Sequence, residues 1–343
     1  MSFRVRLHGS DIGFPIAPDQ TVLDAALAAG VPLAHNCRGG NCGACLARIH
    51  AGEVSYPDGS PNALLGEPAD RAVLCQAHAC SDLVIEARLP ATGSDIQVKN
   101  LPARVVGLER LCHDVIRLQL RLPASERLDY RAGQYIEILL RDGRRRAFSI
   151  ANAPRDDALL ELHIRLIPGG SFTEHVFNEM QPKAMVRLEG PFGHFHLREA
   201  GDRPIILMGG GTGFAPLKGM IEHAIATGLT RPMHLFWGAR ARRDLYQHEL
   251  VREWAARHDW LHYTPVLSDP REQDAWEGET GLVTGAVLVR YPDLAAFDLY
   301  MSGPPAMIAA ARPAFLAHGL PEERMFSDAF EFAADSRPAA GGD

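Results

Sequence analysis

No run of about 18 apolar residues, the length a membrane-spanning helix needs, occurs in the 343-residue sequence. Its first ten residues, MSFRVRLHGS, alternate polar with apolar side chains where a secretory leader would carry an unbroken apolar core. Neither a membrane nor export is expected, and the chain reads as cytoplasmic. Positive charge is also scarce. Lys and Arg number 35 against 42 Asp and Glu, a net charge of −7, and no long basic run appears. That excludes the electrostatic footprint of a nucleic-acid or anionic-membrane partner and leaves a protein or a small molecule. Internal repeats are absent, as is the G-x-G-x-x-G dinucleotide fingerprint. Only one Cys-x-x-Cys pair occurs, Cys42 with Cys45, where zinc ribbons usually carry two. The six cysteines are even in number, yet three crowd into nine positions of a long chain, which favours metal or redox chemistry over disulfides.

What is present divides into three patterns, and a chain of this length with 46% hydrophobic residues has material for two or three cores. The first pattern opens with strand-like alternation at Phe3, Val5 and Leu7, continues with a helix-like stretch from Val22 to Ala29, and then enters a cysteine-rich loop. It ends before Leu89-Pro90-Ala91-Thr92-Gly93-Ser94, whose composition is that of a linker. From about residue 100 to 198, short alternating segments separated by turn residues predict an antiparallel barrel. Beyond about 203, strand-like and helix-like stretches alternate, with helices expected over Lys218–Ala226, Leu245–Arg257 and Met307–Ala317, which predicts a parallel sheet covered by helices. The expected domains are 1–94, 100–198 and 202–334, followed by a polar, flexible tail at 335–343.

The spacing Cys37-x4-Cys42-x2-Cys45, with Cys75 after 29 further residues, is that of a plant-type [2Fe–2S] site. Four thiolates complete two irons bridged by two sulfides. Between them lie Arg38-Gly39-Gly40-Asn41 and Gly43-Ala44, small residues that let the backbone close on a cluster and aim N–H groups at its sulfurs. Cys80 and Cys112 fit no ligand pattern.

With that loop at its head, the sequence resembles the ferredoxin-containing reductases of the ferredoxin–NADP reductase superfamily over residues 1 to about 330, near phenol hydroxylase reductases, methane monooxygenase component C and CDP-6-deoxy-Δ3,4-glucoseen reductases. The resemblance implies a multidomain chain: an α+β ferredoxin module of β-grasp type, an antiparallel β-barrel for FAD and an α/β parallel-sheet domain for the nicotinamide nucleotide. Arg146-Ala147-Phe148-Ser149 resembles the family's R-x-[YF]-[ST] flavin motif. By that likeness Arg146 meets the pyrophosphate, Phe148 lies beside the ring system, and Ser149 approaches the flavin atom that receives hydride. Read alone, Arg144-Arg145-Arg146 after Asp142-Gly143 is equally a solvated hairpin end. Gly169-Gly170-Ser171-Phe172-Thr173 resembles a family segment that meets the FAD phosphates, with Gly170, Ser171 and the Thr173 hydroxyl as contacts, and His163-Ile164-Arg165 lies where relatives touch the flavin. Without the likeness, His163 is as well explained by an exposed strand face.

In the last pattern, Gly209-Gly210-Gly211-Thr212-Gly213-Phe214-Ala215-Pro216 follows an apolar strand and precedes a helix, as a phosphate-approaching glycine loop must. It resembles the family's G-G-T-G-x-[AT]-P segment, which implies that Gly211, Thr212 and Gly213 flank the nicotinamide. Arg240 resembles a residue at the adenosine end. Ser302-Gly303-Pro304-Pro305-Ala306-Met307 resembles Cys-Gly-Pro-Pro-x-Met near the nicotinamide, with serine in place of cysteine. Ser149 and Ser302 are then the side chains that support hydride transfer. The implied activity is electron transfer from NADH, with NADPH the alternative, through FAD and the [2Fe–2S] cluster to an electron-accepting protein. An oxygenase component is the favoured acceptor, a deoxysugar dehydrase the alternative. A redox sensor or relay subunit that has lost hydride transfer is the reading from another class. Residues 1–90 hold nine Asp and Glu against six Lys and Arg, an excess that permits docking on a basic acceptor.

Overall fold

The computed structural model describes residues 2–89, 96–154 and 159–330. The expected tail and all of the expected linker after Leu89 lie outside the described residues. Contacts gather the described residues into two compact units, one of 2–89 with 305–314 and 327–330, the other of 96–154, 159–304 and 315–326.

At the N-terminus the alternation in β1 (Phe3–Leu7) and β2 (Gly13–Ile16) buries Val5, Leu7, Phe14 and Ile16. Thr21 starts α1 (Val22–Ala28), its hydroxyl oxygen accepting from the Asp24 amide. Strands β3 (Leu46–Ala51), β4 (Val54–Ser55), β5 (Arg71–Val73), β6 (His78–Ala79) and β7 (Leu83–Ala87) follow. Their main sheet runs β2-β1-β7-β3-β5, with β1 parallel to β7 and the other neighbours antiparallel. Val22, Leu23, Ala25 and Ala26 of the helix share one core with Ala47, Val73 and Ile85 of this sheet, the β-grasp arrangement. The loop from α1 to β3 carries three of the cysteines, and Cys75 comes just after β5.

Six antiparallel strands form the barrel: β8 (Lys99–Arg110), β9 (Val115–Arg121), β10 (Tyr135–Leu139), β11 (Arg145–Ser149), β12 (Leu159–Arg165) and β13 (Met185–Phe192), with α2 (Ser171–Asn178) between the last two. They are ordered β11-β10-β13-β8-β9-β12. A bridge from Ile150 to Leu162 closes the ring at β11 and β12.

The third sheet is built from β14 (Ile205–Gly210), β15 (Met233–Ala239), β16 (Leu261–Leu267), β17 (Glu279–Thr280), β18 (Asp298–Gly303) and β19 (Met325–Ala329) in the order β17-β16-β15-β14-β18-β19. The pairs from β17 to β18 are parallel. Every residue of β14 and β18 is buried, as central parallel strands require. Its helices are α3 (Phe214–Thr227), α4 (His248–Arg257), α5 (Val283–Arg290) and α6 (Pro305–Ala317). Strand order reverses between β14 and β18, which makes the carboxyl ends of those two strands the place for a ligand crevice. α3 begins four residues earlier than expected, straight out of the glycine loop, because Pro216 falls in the first turn where its missing N–H is tolerated.

Candidate functional site

The four cysteines are buried, at 8%, 2%, 5% and 6% exposure for Cys37, Cys42, Cys45 and Cys75. The electrostatics of the thiols couple Cys37 to Cys42 and Cys75 to Cys45, so they lie as two neighbouring pairs. Left-handed backbone at Arg38 (φ 56°), Gly40 (φ 77°) and Gly43 (φ 72°) curls the loop inward. The Cys42 amide thereby donates to Cys37 Sγ at 3.4 Å, and the Ala44 amide to Cys42 Sγ at 3.5 Å. Amides of Gly39 and Asn41 also address Cys37, and that of Gly40 addresses Cys75. The Cys42 thiol, helped by these amides and opposed by burial, brings Cys37 down to about 6, whereas donation to a neighbouring thiol and burial push Cys42 and Cys75 up. Two thiol pairs ringed by amides fit a cluster that takes two cysteines on each iron.

Residues from the far end of the chain buttress this loop. Ser327 donates its hydroxyl to the Cys42 carbonyl. Asn36 Nδ2 donates to the Ser327 carbonyl and to Asp328 Oδ1, both at 3.0 Å. Arg312 Nε reaches Glu67 Oε1 at 2.8 Å. Asn36, Arg312, Ser327 and Asp328 are all buried. Sequence reasoning missed this layer, since contacts across 285 residues leave no local pattern.

In the barrel, Arg146 and Phe148 are half-buried on one side of β11 while Arg145 and Ala147 are exposed on the other. Ser149, also half-buried, ends the strand. Phe148 approaches Phe172 at 5.5 Å between ring centroids, and Arg144 Nη2 donates to Ser171 Oγ at 3.3 Å, so the flavin-motif strand and the start of α2 come together. No side chain caps α2, whose acceptor Gly170 is followed by the first-turn amides of Ser171, Phe172 and Thr173. Those amides suit a phosphate.

Four of the residues expected at the flavin have side chains already engaged within the protein. The Thr173 hydroxyl is engaged within its own loop, accepting from the Ile167 amide at 3.1 Å and facing the Gly170 carbonyl at 3.1 Å, so it shapes the turn. Ile164 is wholly buried in the barrel core, the inward side of the strand period. His163, on the outward side, has a side chain with no exposure, held between Glu161 and Tyr246. Arg165 is tied by Nε to Asp114 at 2.9 Å, and its Nη1 lies 2.7 Å from where a Cβ on Gly211 would stand, which places it against the nucleotide loop.

In that loop, Gly211 (φ 55°) occupies left-handed backbone, and its carbonyl accepts from Trp237 Nε1 at 2.9 Å. Thr212 and Gly213 are buried. A Cβ on Gly213 would lie 2.0 Å from the Ser302 carbonyl oxygen, so glycine alone lets the loop close on the end of β18. Ser302 is fully buried, and its hydroxyl has no hydrogen-bond partner among the described residues. An orphaned donor at a strand switch point fits a ligand with a polar group to bind there, as a nicotinamide has. Gly303 is buried and Pro304 half-buried as the chain turns from β18 into α6. Arg240 is exposed just past β15, its carbonyl accepting from the Asp269 amide at 2.9 Å. Cys112, His113 and Asp114 bring three donor atoms within 4.8 Å of one another, but Asp114 is already paired with Arg165 and burial pushes the Cys112 thiol up to about 11. That is a poor metal site.

Comparison with known proteins agrees with this order of parts. A 2Fe-2S iron-sulfur cluster binding domain matches residues 5–80, an oxidoreductase FAD-binding domain residues 102–197, and an oxidoreductase NAD-binding domain residues 207–313. The chain is 41% identical to a CDP-6-deoxy-L-threo-D-glycero-4-hexulose-3-dehydrase reductase of Yersinia pestis, over 96% of this chain and 99% of that one. It is 35% identical to the reductase component of a phenol 2-monooxygenase from a Pseudomonas species, over 98% and 96%. The crystal structure of an Amycolatopsis cytochrome P450 reductase superposes with a TM-score of 0.73 at 32% identity, covering 96% of this chain and 98% of that one.

Proposed function

The chain belongs to the iron–sulfur flavoprotein reductases of the ferredoxin–NADP reductase superfamily, and from that premise we propose which donor it takes, which residues serve it and where its electrons go. It is an electron-transfer oxidoreductase with a [2Fe–2S] cluster, FAD and a pyridine nucleotide, and it hands electrons to a partner protein. When bound, FAD supplies the conversion of a two-electron input into single electrons. The observation that carries the residue assignment is the buried, unpartnered hydroxyl of Ser302 behind the contact between Gly213 and the Ser302 backbone.

Cys37, Cys42, Cys45 and Cys75 hold the cluster. Arg146 and the first turn of α2, at Gly170 and Ser171, take the FAD phosphates, with Phe148 and Ser149 toward its ring. Gly211, Thr212, Gly213, Ser302, Gly303 and Pro304 receive the nicotinamide, where the Ser302 hydroxyl orients the carboxamide. Arg240 serves the adenosine end. The donor is NADH, with NADPH the alternative, since Arg240 at the adenosine end suits either nucleotide. Domain limits of 1–94, 100–198 and 202–334 and a cytoplasmic setting, suited to reduced thiols, belong to the same reading.

The acceptor is a deoxysugar dehydrase. Support comes from the 41% identity to the Yersinia pestis reductase, spread over nearly the full length of both chains. An oxygenase component, favoured by sequence alone, is the second reading, supported by the 35% identity to the phenol 2-monooxygenase component and by the Amycolatopsis structure. Anaerobic NADH should bleach flavin and cluster absorbance faster than NADPH does. The reduced protein should then be reoxidised by a CDP-hexulose dehydrase with its substrate and only slowly by a phenol hydroxylase. Absence of bleaching would sink the enzyme reading, and the reverse order of acceptors would hand the case to the oxygenase.

A further inference from the structure

A buried polar chain crosses from the flavin-motif strand to the nucleotide loop, and the proposed function gives none of its members a part. Lys218 is 3% exposed in an otherwise apolar first stretch of α3. Its Nζ donates to the Ala151 carbonyl at 3.0 Å and to Glu222 Oε1 at 2.8 Å, and it forms an ion pair with Glu161 Oε1 at 3.0 Å. Ala151 lies two residues beyond Ser149. Glu222 in turn accepts from the Ala153 amide at 3.2 Å, and a Cβ on Gly219 would be only 3.1 Å from the carbonyl oxygens of Ile150 and Asn152. One face of α3 is thus docked on the backbone that continues from the flavin motif.

The chain runs on from Glu161. Its Oε1 meets His163 Nε2 at 3.0 Å, so Nε2 carries the proton, and His163 Nδ1 accepts from the Tyr246 hydroxyl at 2.9 Å. Although burial opposes its charge, Glu161 is held at about 2 by His163 and Lys218, while burial keeps His163 neutral. The Tyr246 ring stands edge-on to Trp237 at 5.1 Å and to Phe214 at 6.0 Å, and those two rings stack at 4.0 Å. Trp237 then fixes the Gly211 carbonyl. Buried ion pairs add little net stability over apolar packing, so what this one contributes is fixed geometry.

We infer that Lys218, Glu161, His163 and Tyr246 are positioning residues that set the nucleotide loop at a fixed distance from the flavin-motif strand. The inference rests on the proposed function for the meaning of that distance, but not for its structural half. Hydride transfer is steep in distance, so a loosened loop lowers the transfer rate more than it weakens nucleotide binding.

Three variants of the full-length holoprotein test it: Tyr246→Phe, His163→Leu and His163→Gln. Amide hydrogen exchange without nucleotide should speed up at residues 209–214 in Tyr246→Phe and His163→Leu and stay unchanged across residues 115–121. Both should keep FAD, lose about tenfold in the rate of flavin bleaching by NADH with KM changed less than about twofold, and show an altered isotope effect with NADH deuterated at C4. His163→Gln, which can still donate and accept, should recover most of both signals. Unchanged exchange at 209–214 overturns the inference, as does a rate loss that follows FAD content and returns when FAD is added. If NADH fails to bleach even the unsubstituted protein, the proposed function falls while the exchange result still judges the loop.

Discussion

Gly213 is where a single methyl group has the largest consequence. Its Cβ would meet backbone, the Ser302 carbonyl oxygen at 2.0 Å, and a strand buried throughout its length has nowhere to retreat. Gly213→Ala should slow reduction of the flavin by NADH by at least about a hundredfold while dithionite still reduces flavin and cluster; equal reduction by NADH would contradict the placement of the nicotinamide. At the other end of the chain of carriers, Cys42→Ser should abolish cytochrome c reduction and leave NADH-driven ferricyanide reduction standing. Loss of both together would speak against an order in which the flavin precedes the cluster. Such residues were legible in the sequence because glycines and cysteines at fixed spacing have few other uses. That the side chains of His163, Ile164, Arg165 and Thr173 are engaged within the protein was not legible, because a strand's period of two says which residues share a face but not what that face meets. Ser302 was legible as a motif member, but its orphaned hydroxyl was not.

At the scale of elements, α6 and β19 do more than complete a sheet. Residues 305–314 and 327–329 of these elements belong to the first compact unit, where Ser327 holds the Cys42 carbonyl and Arg312 pairs with Glu67. Ser327→Ala removes a buried donor and leaves that carbonyl without it, a cost of about 1–3 kcal/mol borne by the cluster loop. The protein should still assemble its cluster but bleach in air with a half-life shortened several-fold, followed as loss of visible absorbance; a half-life equal to the parent's would leave Ser327 without this role. Strand and helix types were largely readable, from the alternation of β1 to the apolar run of β14. α5 and β19 went unread, since Val283–Arg290 and Met325–Ala329 are short and weakly periodic. The start of α3 was set too late because the glycines and Pro216 imitate a loop.

The whole molecule is poised to lose stability in acid. Burial, then the neighbouring Arg198, lowers His196 to about 3, and burial, then His262, lowers His234 to about 4, against an ordinary 6.5. Unfolded, both take up protons near 6.5, whereas folded they stay neutral far lower. Their contribution is therefore complete above 6.5 and lost as the pH falls toward 4. Glu161, at about 2 against an ordinary 4.5, adds the same sign further down. The unfolding temperature at pH 5 should lie well below that at pH 7. His234→Gln should shrink the gap, by about 2 kcal/mol in denaturant titrations at the two pH values; a gap of unchanged size would remove His234 as a cause. The sequence by itself determined the three patterns, the order of the carriers and the candidate ligands of the cluster, because periodicity, glycine loops and thiolate spacing are local properties of a chain. Tertiary structure alone decided that Ser327 holds the Cys42 carbonyl, that the Ser302 hydroxyl has no partner among the described residues, that Arg165 lies against the nucleotide loop, and that Lys218, Glu161, His163 and Tyr246 form one chain. Those facts depend on which side chains meet across dozens to hundreds of residues once water is excluded, and a linear pattern carries no record of that.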